Sequence, residues 1–174
     1  GICFSTDSYR ISFITKEGHL AMINVDSSNF IEFGLSIQQP YWTLYNSSDV
    51  ILGLDNNNDI IMVYVWDGTS QVIYSTSSQI NIVGFSVSPD EKRVVVALHD
   101  YNQGVGKLVI VSYATPEVVK EFSDGFPSYT FWSSNEKICF TNFKDIYILD
   151  EKENNPRNIT NNNLEPYYML IDAK

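Results

Sequence analysis

The chain has 174 residues and a mass of 19.8 kDa, the size of one ordinary domain. Apolar residues make up 44%, aromatics 14% and charged residues 18%, which excludes a disordered chain. A net charge of −10 with pI near 4.4 excludes a nucleic-acid surface, which needs clustered Lys and Arg.

No stretch of about 18 apolar residues is present to span a membrane as a helix. Gly1-Ile2-Cys3-Phe4 lacks the basic start and apolar core of a secretion signal. The expectation is a cytoplasmic protein, or a periplasmic or secreted one whose signal has been removed. Cys3 and Cys139 form no Cys-x-x-Cys pair and no zinc spacing. They read as strand cysteines packed like small hydrophobes.

Taken in chain order, the β-like runs fall into groups of four. Ile2–Ser5, Arg10–Thr15, Leu20–Val25 and Phe30–Leu35 make the first group. Tyr41–Tyr45, Val50–Leu54, Ile60–Trp66 and Gln71–Ser75 make the second. Ile82–Val87, Arg93–Leu98, Lys107–Tyr113 and Val118–Phe122 follow, then Tyr129–Ser133, Lys137–Thr141, Asp145–Leu149 and Arg157–Thr160. Tyr, Phe and Trp, 24 residues together, suit such pleated half-buried surfaces. Glu17-Gly18, Asn56-Asn57-Asn58-Asp59 and Asp67-Gly68 between runs carry the Asn, Asp and Gly that tight hairpins demand.

The groups repeat. Ser5-Thr6-Asp7 leading to Arg10 matches Ser88-Pro89-Asp90 leading to Arg93, with a third copy at Ser133-Ser134-Asn135-Glu136-Lys137 and a degraded one at Asn46-Ser47-Ser48-Asp49. The first apolar residues after these turns are Ile11, Val50, Val94 and Ile138, spaced by 39, 44 and 44. A period of 40 to 45 residues holding only strand signals is that of propeller blades. Continuous apolar runs such as Val94-Val95-Val96-Ala97-Leu98 fit strands covered on both faces.

Phe85-Ser86-Val87-Ser88-Pro89-Asp90-Glu91-Lys92-Arg93 resembles the Phe-Ser-Pro-Asp-Gly-Lys core of TolB-like and related WD40-like β-propeller repeats. Asp145-Ile146-Tyr147-Ile148-Leu149-Asp150 followed by Arg157-Asn158-Ile159-Thr160 is similar to their repeat ending. The chain departs from the pattern at Glu91, where Gly is usual, and Trp66-Asp67 falls where a Trp-Asp dipeptide would close a third strand. The fold expected is all-β: a propeller-like array of four-stranded antiparallel blades over residues 1–37, 38–78, 79–124 and 125–164. Residues 165–174 would begin a further strand, making the chain part of a larger propeller.

The search for chemistry finds no Gly-x-Ser-x-Gly elbow, no His-Glu-x-x-His and no phosphate loop; Gly104-Val105-Gly106 lacks a third Gly. His19 and His99 fall on or beside hairpin turns of different groups. Asp55, Asn57 and Asp59 match the first half of a calcium loop, which then fails at Ile60 and Trp66. An Asn-rich turn is the competing reading. Asp150-Glu151-Lys152-Glu153 reads as a solvated loop. Two glycosylation triplets, at Asn46 and Asn158, are unremarkable among 16 Asn residues.

Tyr41, Trp42, Tyr129 and Trp132 lie in first strands and are the candidate binding residues, against the alternative that they pack between blades. The expected function is a non-catalytic protein-interaction scaffold, with no cofactor and no nucleic-acid partner. The resemblance also admits the propeller of a prolyl-oligopeptidase-like serine peptidase, its catalytic domain outside this chain, or a periplasmic TolB-type envelope protein. The remaining blades of a longer parent are a further expected partner.

Overall fold

A computed structural model describes residues 1–123, 127–142, 145–153 and 155–160. Sheet 1 is built from β1 (Ile2–Phe4), β2 (Arg10–Ile14), β3 (Leu20–Asn24) and β4 (Ile31–Glu32). Sheet 2 takes β5 (Ile37–Tyr45), β6 (Ser48–Asp55), β7 (Ile60–Tyr64) and β8 (Ser70–Tyr74). Sheet 3 takes β9 (Ile80–Val87), β10 (Arg93–Asp100), β11 (Val105–Ser112) and β12 (Glu117–Ser123). Sheet 4 takes β13 (Pro127–Ser134), β14 (Lys137–Asn142), β15 (Asp145–Asp150) and β16 (Arg157–Asn158). Strands follow one another across each sheet in chain order, all antiparallel, and no helix occurs among the described residues. The further strand expected over 165–174 lies outside the described residues.

In sheets 1 and 3 a Ser-x-Asp turn explains how the first strand reverses into the second. The Ser5 hydroxyl bonds the Asp7 carboxylate, and Arg10 N–H donates to Ser5 Oγ at 2.9 Å. Tyr9 N–H reaches Asp7 Oδ1 at 2.9 Å. The second copy repeats this: Ser88 Oγ donates to Asp90 Oδ1 at 2.6 Å, and Arg93 N–H to Ser88 Oγ at 3.0 Å. A short side chain thus satisfies the backbone donors that the turn leaves unpaired. Sheet 2 turns differently. Tyr45 pairs with Ser48 across only Asn46 and Ser47, at φ +50° and +62°, a tight mirror-image hairpin turn.

A backbone hydrogen bond fixes the repeat register. The residue following each third strand donates to a carbonyl in or beside the first turn: Val25 to Tyr9, Val65 to Asp49, Tyr113 to Lys92 and Glu151 to Glu136. Two residues beyond those carbonyls stand Ile11, Ile51, Val94 and Ile138, spaced 40, 43 and 44. The sequence anchor at Val50 is therefore one residue early. Val50 fills the position that Arg10, Arg93 and Lys137 hold in the other sheets, each paired with the last residue of its third strand.

The chain divides into two compact units, residues 1–75 and 76–174. In the first, Leu20 and Met22 of sheet 1 pack with Trp42, Ile51, Ile61 and Val63 of sheet 2. In the second, Val95, Ala97, Leu108 and Ile110 of sheet 3 pack with Trp132, Ile138, Phe140 and Leu149 of sheet 4. Each core is a sandwich of two sheet faces, and its burial is the main stabilising term.

Glu91 occupies the turn position where Gly is usual, and its φ is +56°. A left-handed conformation strains a residue bearing Cβ, whereas Gly adopts it freely. Glu91→Gly is expected to raise stability by roughly 0.5–1 kcal/mol. Urea unfolding of the two proteins measures this, and a lower midpoint for the variant would contradict it.

Candidate functional site

The Ser-x-Asp turn delivers an arginine to the first residue of the second strand, and both such arginines reach the following sheet. Arg10 sets its guanidinium 5.1 Å from the centre of the Trp42 ring. Its Nη2 lies 2.6 Å from Asp49 Oδ2 and 3.2 Å from Asp7 Oδ2. The Trp42 indole donates from Nε1 to Ser12 Oγ at 2.8 Å, back into sheet 1. In the second unit Arg93 lies 4.9 Å from the centre of Trp132, and Trp132 Nε1 donates to the Ser86 carbonyl at 3.2 Å. Arg93 also pairs with Glu151, donates to the Asn135 carbonyl at 2.7 Å and stands 3.5 Å from Asp90.

These are the same device built twice. A guanidinium over an aromatic face contributes about 0.5–2 kcal/mol, depending on how dry the pair is. The flanking ion pairs, whose side chains are roughly one-fifth to one-half exposed, add direction more than energy. The Ser5 hydroxyl and the Tyr9 N–H hold the Asp7 carboxyl down to about 2. For Asp90, partial burial pushes upward, but the Ser88 hydroxyl and the Arg93 charge outweigh it and leave the carboxyl lowered.

Beside the second clamp, sheets 3 and 4 frame a cleft of about 510 Å³. Arg93, Lys120 and Lys152 line it together with Asp90, Glu136 and Glu151. Lys120 donates to the carbonyls of Glu151 and Glu153, and Lys152 meets Glu136 at 2.5 Å. The 150–153 stretch, expected as a solvated loop, is thus tied to sheet 3 through Glu151.

The four candidate binding residues separate into two kinds. Trp42 and Trp132 are 3% and 6% exposed and belong to the two cores. Tyr41 and Tyr129 are 42% and 69% exposed. The sequence left the orientation open, because neighbouring strand residues point to opposite faces and either could be inward. The two arginines were visible only as a repeated basic residue; their shared position after a Ser-x-Asp turn was the signal.

Asp55, Asn57 and Asp59 close a hairpin. Asp55 Oδ1 accepts from the N–H groups of Asn57 and Asp59, both at 2.9 Å, and Oδ2 from the Asn57 amide at 3.1 Å. No group of three or more His, Cys, Asp or Glu suited to a metal occurs among the described residues. Asp67 makes a similar turn with Thr69, leaving Trp66 three-quarters exposed beyond the end of β7. Cys3 and Cys139 are free thiols, and burial pushes the Cys139 thiol up.

His19 meets Glu32 at 2.7 Å on the surface. His99 corrects its expected place beside a turn: it lies within β10, buried. Its Nε2 stands 2.7 Å from the Pro127 carbonyl and its Nδ1 3.3 Å from the Tyr101 hydroxyl. β10 runs on to Asp100, two residues past the apolar run that suggested its end.

No protein-family model matches the sequence, and no curated protein does. Solved structures do. An oligogalacturonate lyase in complex with manganese is similar over 90% of this chain and 50% of its own, with 13% identity and TM-score 0.74. The Dos1 propeller is similar over 90% and 46%, with 12% identity and TM-score 0.69. TolB from Acinetobacter baumannii is similar over 87% and 41%, with 18% identity and TM-score 0.65. The fold is that of a β-propeller. The four sheets are its blades, and the chain spans half or less of each of those structures. At such identities the likeness extends to architecture alone.

The clamp makes two predictions. Trp132→Ala should lower unfolding free energy by about 3–5 kcal/mol, as emptying a buried aromatic site does. A loss under about 1 kcal/mol in urea unfolding would place the indole outside the core. Asp7 has a folded value below its ordinary one, so its contribution is complete above about pH 4 and lost as pH falls through about 2. Asp7→Asn should flatten that acid limb of the melting temperature against pH, and an unchanged limb would contradict the hydrogen-bonded turn.

Proposed function

We propose that this chain acts as a non-catalytic protein-interaction module, using exposed aromatic residues on the first strands of its blades. The observation that supports it is the division within β5 and β13. In each, the tryptophan is turned into the core, while a tyrosine, Tyr41 or Tyr129, is turned to solvent. Tyrosine presents a large contact area at small entropic cost, and it is among the residues enriched at binding hot spots.

Net charge −10 favours a partner with a basic surface, because complementary fields raise the association rate. Binding should therefore weaken as salt rises. The acidic loops also keep the β core from associating with itself.

Tyr129→Ala is expected to weaken a partner bound by this chain by about 2 kcal/mol, roughly 30-fold in Kd, at an unchanged melting temperature. Calorimetric titration of the two proteins reads both effects. Equal affinities would remove Tyr129 from the interface. Turnover of oligogalacturonate by the chain with Mn²⁺ would replace the interaction reading with an enzymatic one.

A further inference from the structure

Every described residue that lines the cleft between sheets 3 and 4 is charged or an asparagine. The cations on it are not equally engaged. Arg93 pairs with Glu151, donates to the Asn135 carbonyl at 2.7 Å and stands 3.5 Å from Asp90. Lys120 donates to two backbone carbonyls, those of Glu151 and Glu153, and lies 4.7 Å from the centre of the Phe122 ring. The Lys152 ammonium meets one group among the described residues, Glu136 Oε1 at 2.5 Å. Those two side chains are 71% and 55% exposed, against 21% and 22% for Arg93 and Glu151.

The backbone beneath that corner is pinned. Glu151 N–H donates to the Glu136 carbonyl at 2.7 Å, and Lys152 N–H to Asp150 Oδ1 at 3.0 Å. The Lys152 head can therefore swing into solvent without undoing either turn, and an exposed pair of this kind costs little to break. Glu136, and behind it Asp150 and Glu151, hold the Lys152 ammonium above its usual range, so the field where it sits is negative. What Lys152 leaves behind is a positioned carboxylate, lining a cleft of about 510 Å³.

We infer that this corner takes an arginine side chain of a protein partner, with Lys152 holding the place when the partner is absent. A guanidinium presents two parallel N–H donors to a carboxylate, whereas an ammonium presents a point charge. The exchange replaces a one-point pair on Glu136 with a two-point one and releases Lys152 to water. The fold already seats guanidinium groups among carboxylates: Arg10 meets Asp7 and Asp49, and Arg93 meets Asp90 and Glu151. Charge complementarity points the same way, since a chain of net charge −10 attracts a basic segment and repels an acidic one. The inference rests on the reading that this chain binds a protein, but not on what Tyr129 touches.

Acetyl-arginine amide, a monocation, is the probe, titrated against the backbone amide NMR signals of the 174-residue chain. Saturable shifts confined to residues 134–137 and 150–152 are expected, with acetyl-lysine amide binding about threefold weaker or worse. Lys152→Ala should tighten binding about two- to fivefold, the worth of an exposed pair, and Glu136→Gln should remove it. Lys16→Ala makes the same charge change on an exposed residue of the first unit and should leave the affinity unchanged. Absence of binding, shifts spread over the acidic loops, or equal affinity for the two probes would overturn the inference. So would equal tightening by Lys16→Ala and Lys152→Ala, the mark of net charge alone. None of these outcomes bears on Tyr129→Ala, which is read against the whole partner.

Discussion

Two sheets pack well only if something sets their spacing and rotation, and in both units that is a guanidinium lying on an indole. Arg10 over Trp42 and Arg93 over Trp132 join the start of one blade's second strand to the first strand of the next. The indole N–H completes the link by donating back across the gap, to Ser12 in one unit and to Ser86 in the other. Apolar burial drives the two faces together, but it is non-directional. The cation over the ring and the single N–H bond have direction, so they select one register among many apolar contacts.

The clamp depends on local chemistry upstream. Ser5-Thr6-Asp7 and Ser88-Pro89-Asp90 close their turns through side-chain hydrogen bonds, and each carboxylate stands near the arginine that follows. The turn thus does two jobs: it reverses the strand and aims the guanidinium. Blade 2 has a two-residue turn without that Asp. In its place Asp49 receives the arginine of blade 1. The repeat alternates a blade that sends an arginine with one that receives it, within each unit.

Most of the fold was legible in the sequence because its signals are local. Apolar runs ended by Asn, Asp and Gly marked all four strands of every blade, and the errors at strand ends reach four residues at Ile37 and two at Asp100. The anchor in blade 2 slipped by one because Val50, an apolar residue, fills the place that Arg10, Arg93 and Lys137 hold in the other blades. The direction of Trp42 and Tyr41 was illegible for another reason. Alternation separates two faces but does not say which one a neighbouring sheet covers. His99 was misplaced because a polar residue at the end of an apolar run reads as a turn, although here the Pro127 carbonyl satisfies it inside the sheet.

If the clamp sets how blades join, Arg10 and Trp42 must be energetically coupled beyond their separate contributions. A double-mutant cycle of Arg10→Met and Trp42→Leu in urea unfolding isolates that coupling, because loss of the Asp49 and Asp7 pairs cancels between the two arms. The structure predicts a coupling energy of about 0.5–2 kcal/mol. Additivity within about 0.3 kcal/mol would contradict it and leave apolar burial alone to join the blades.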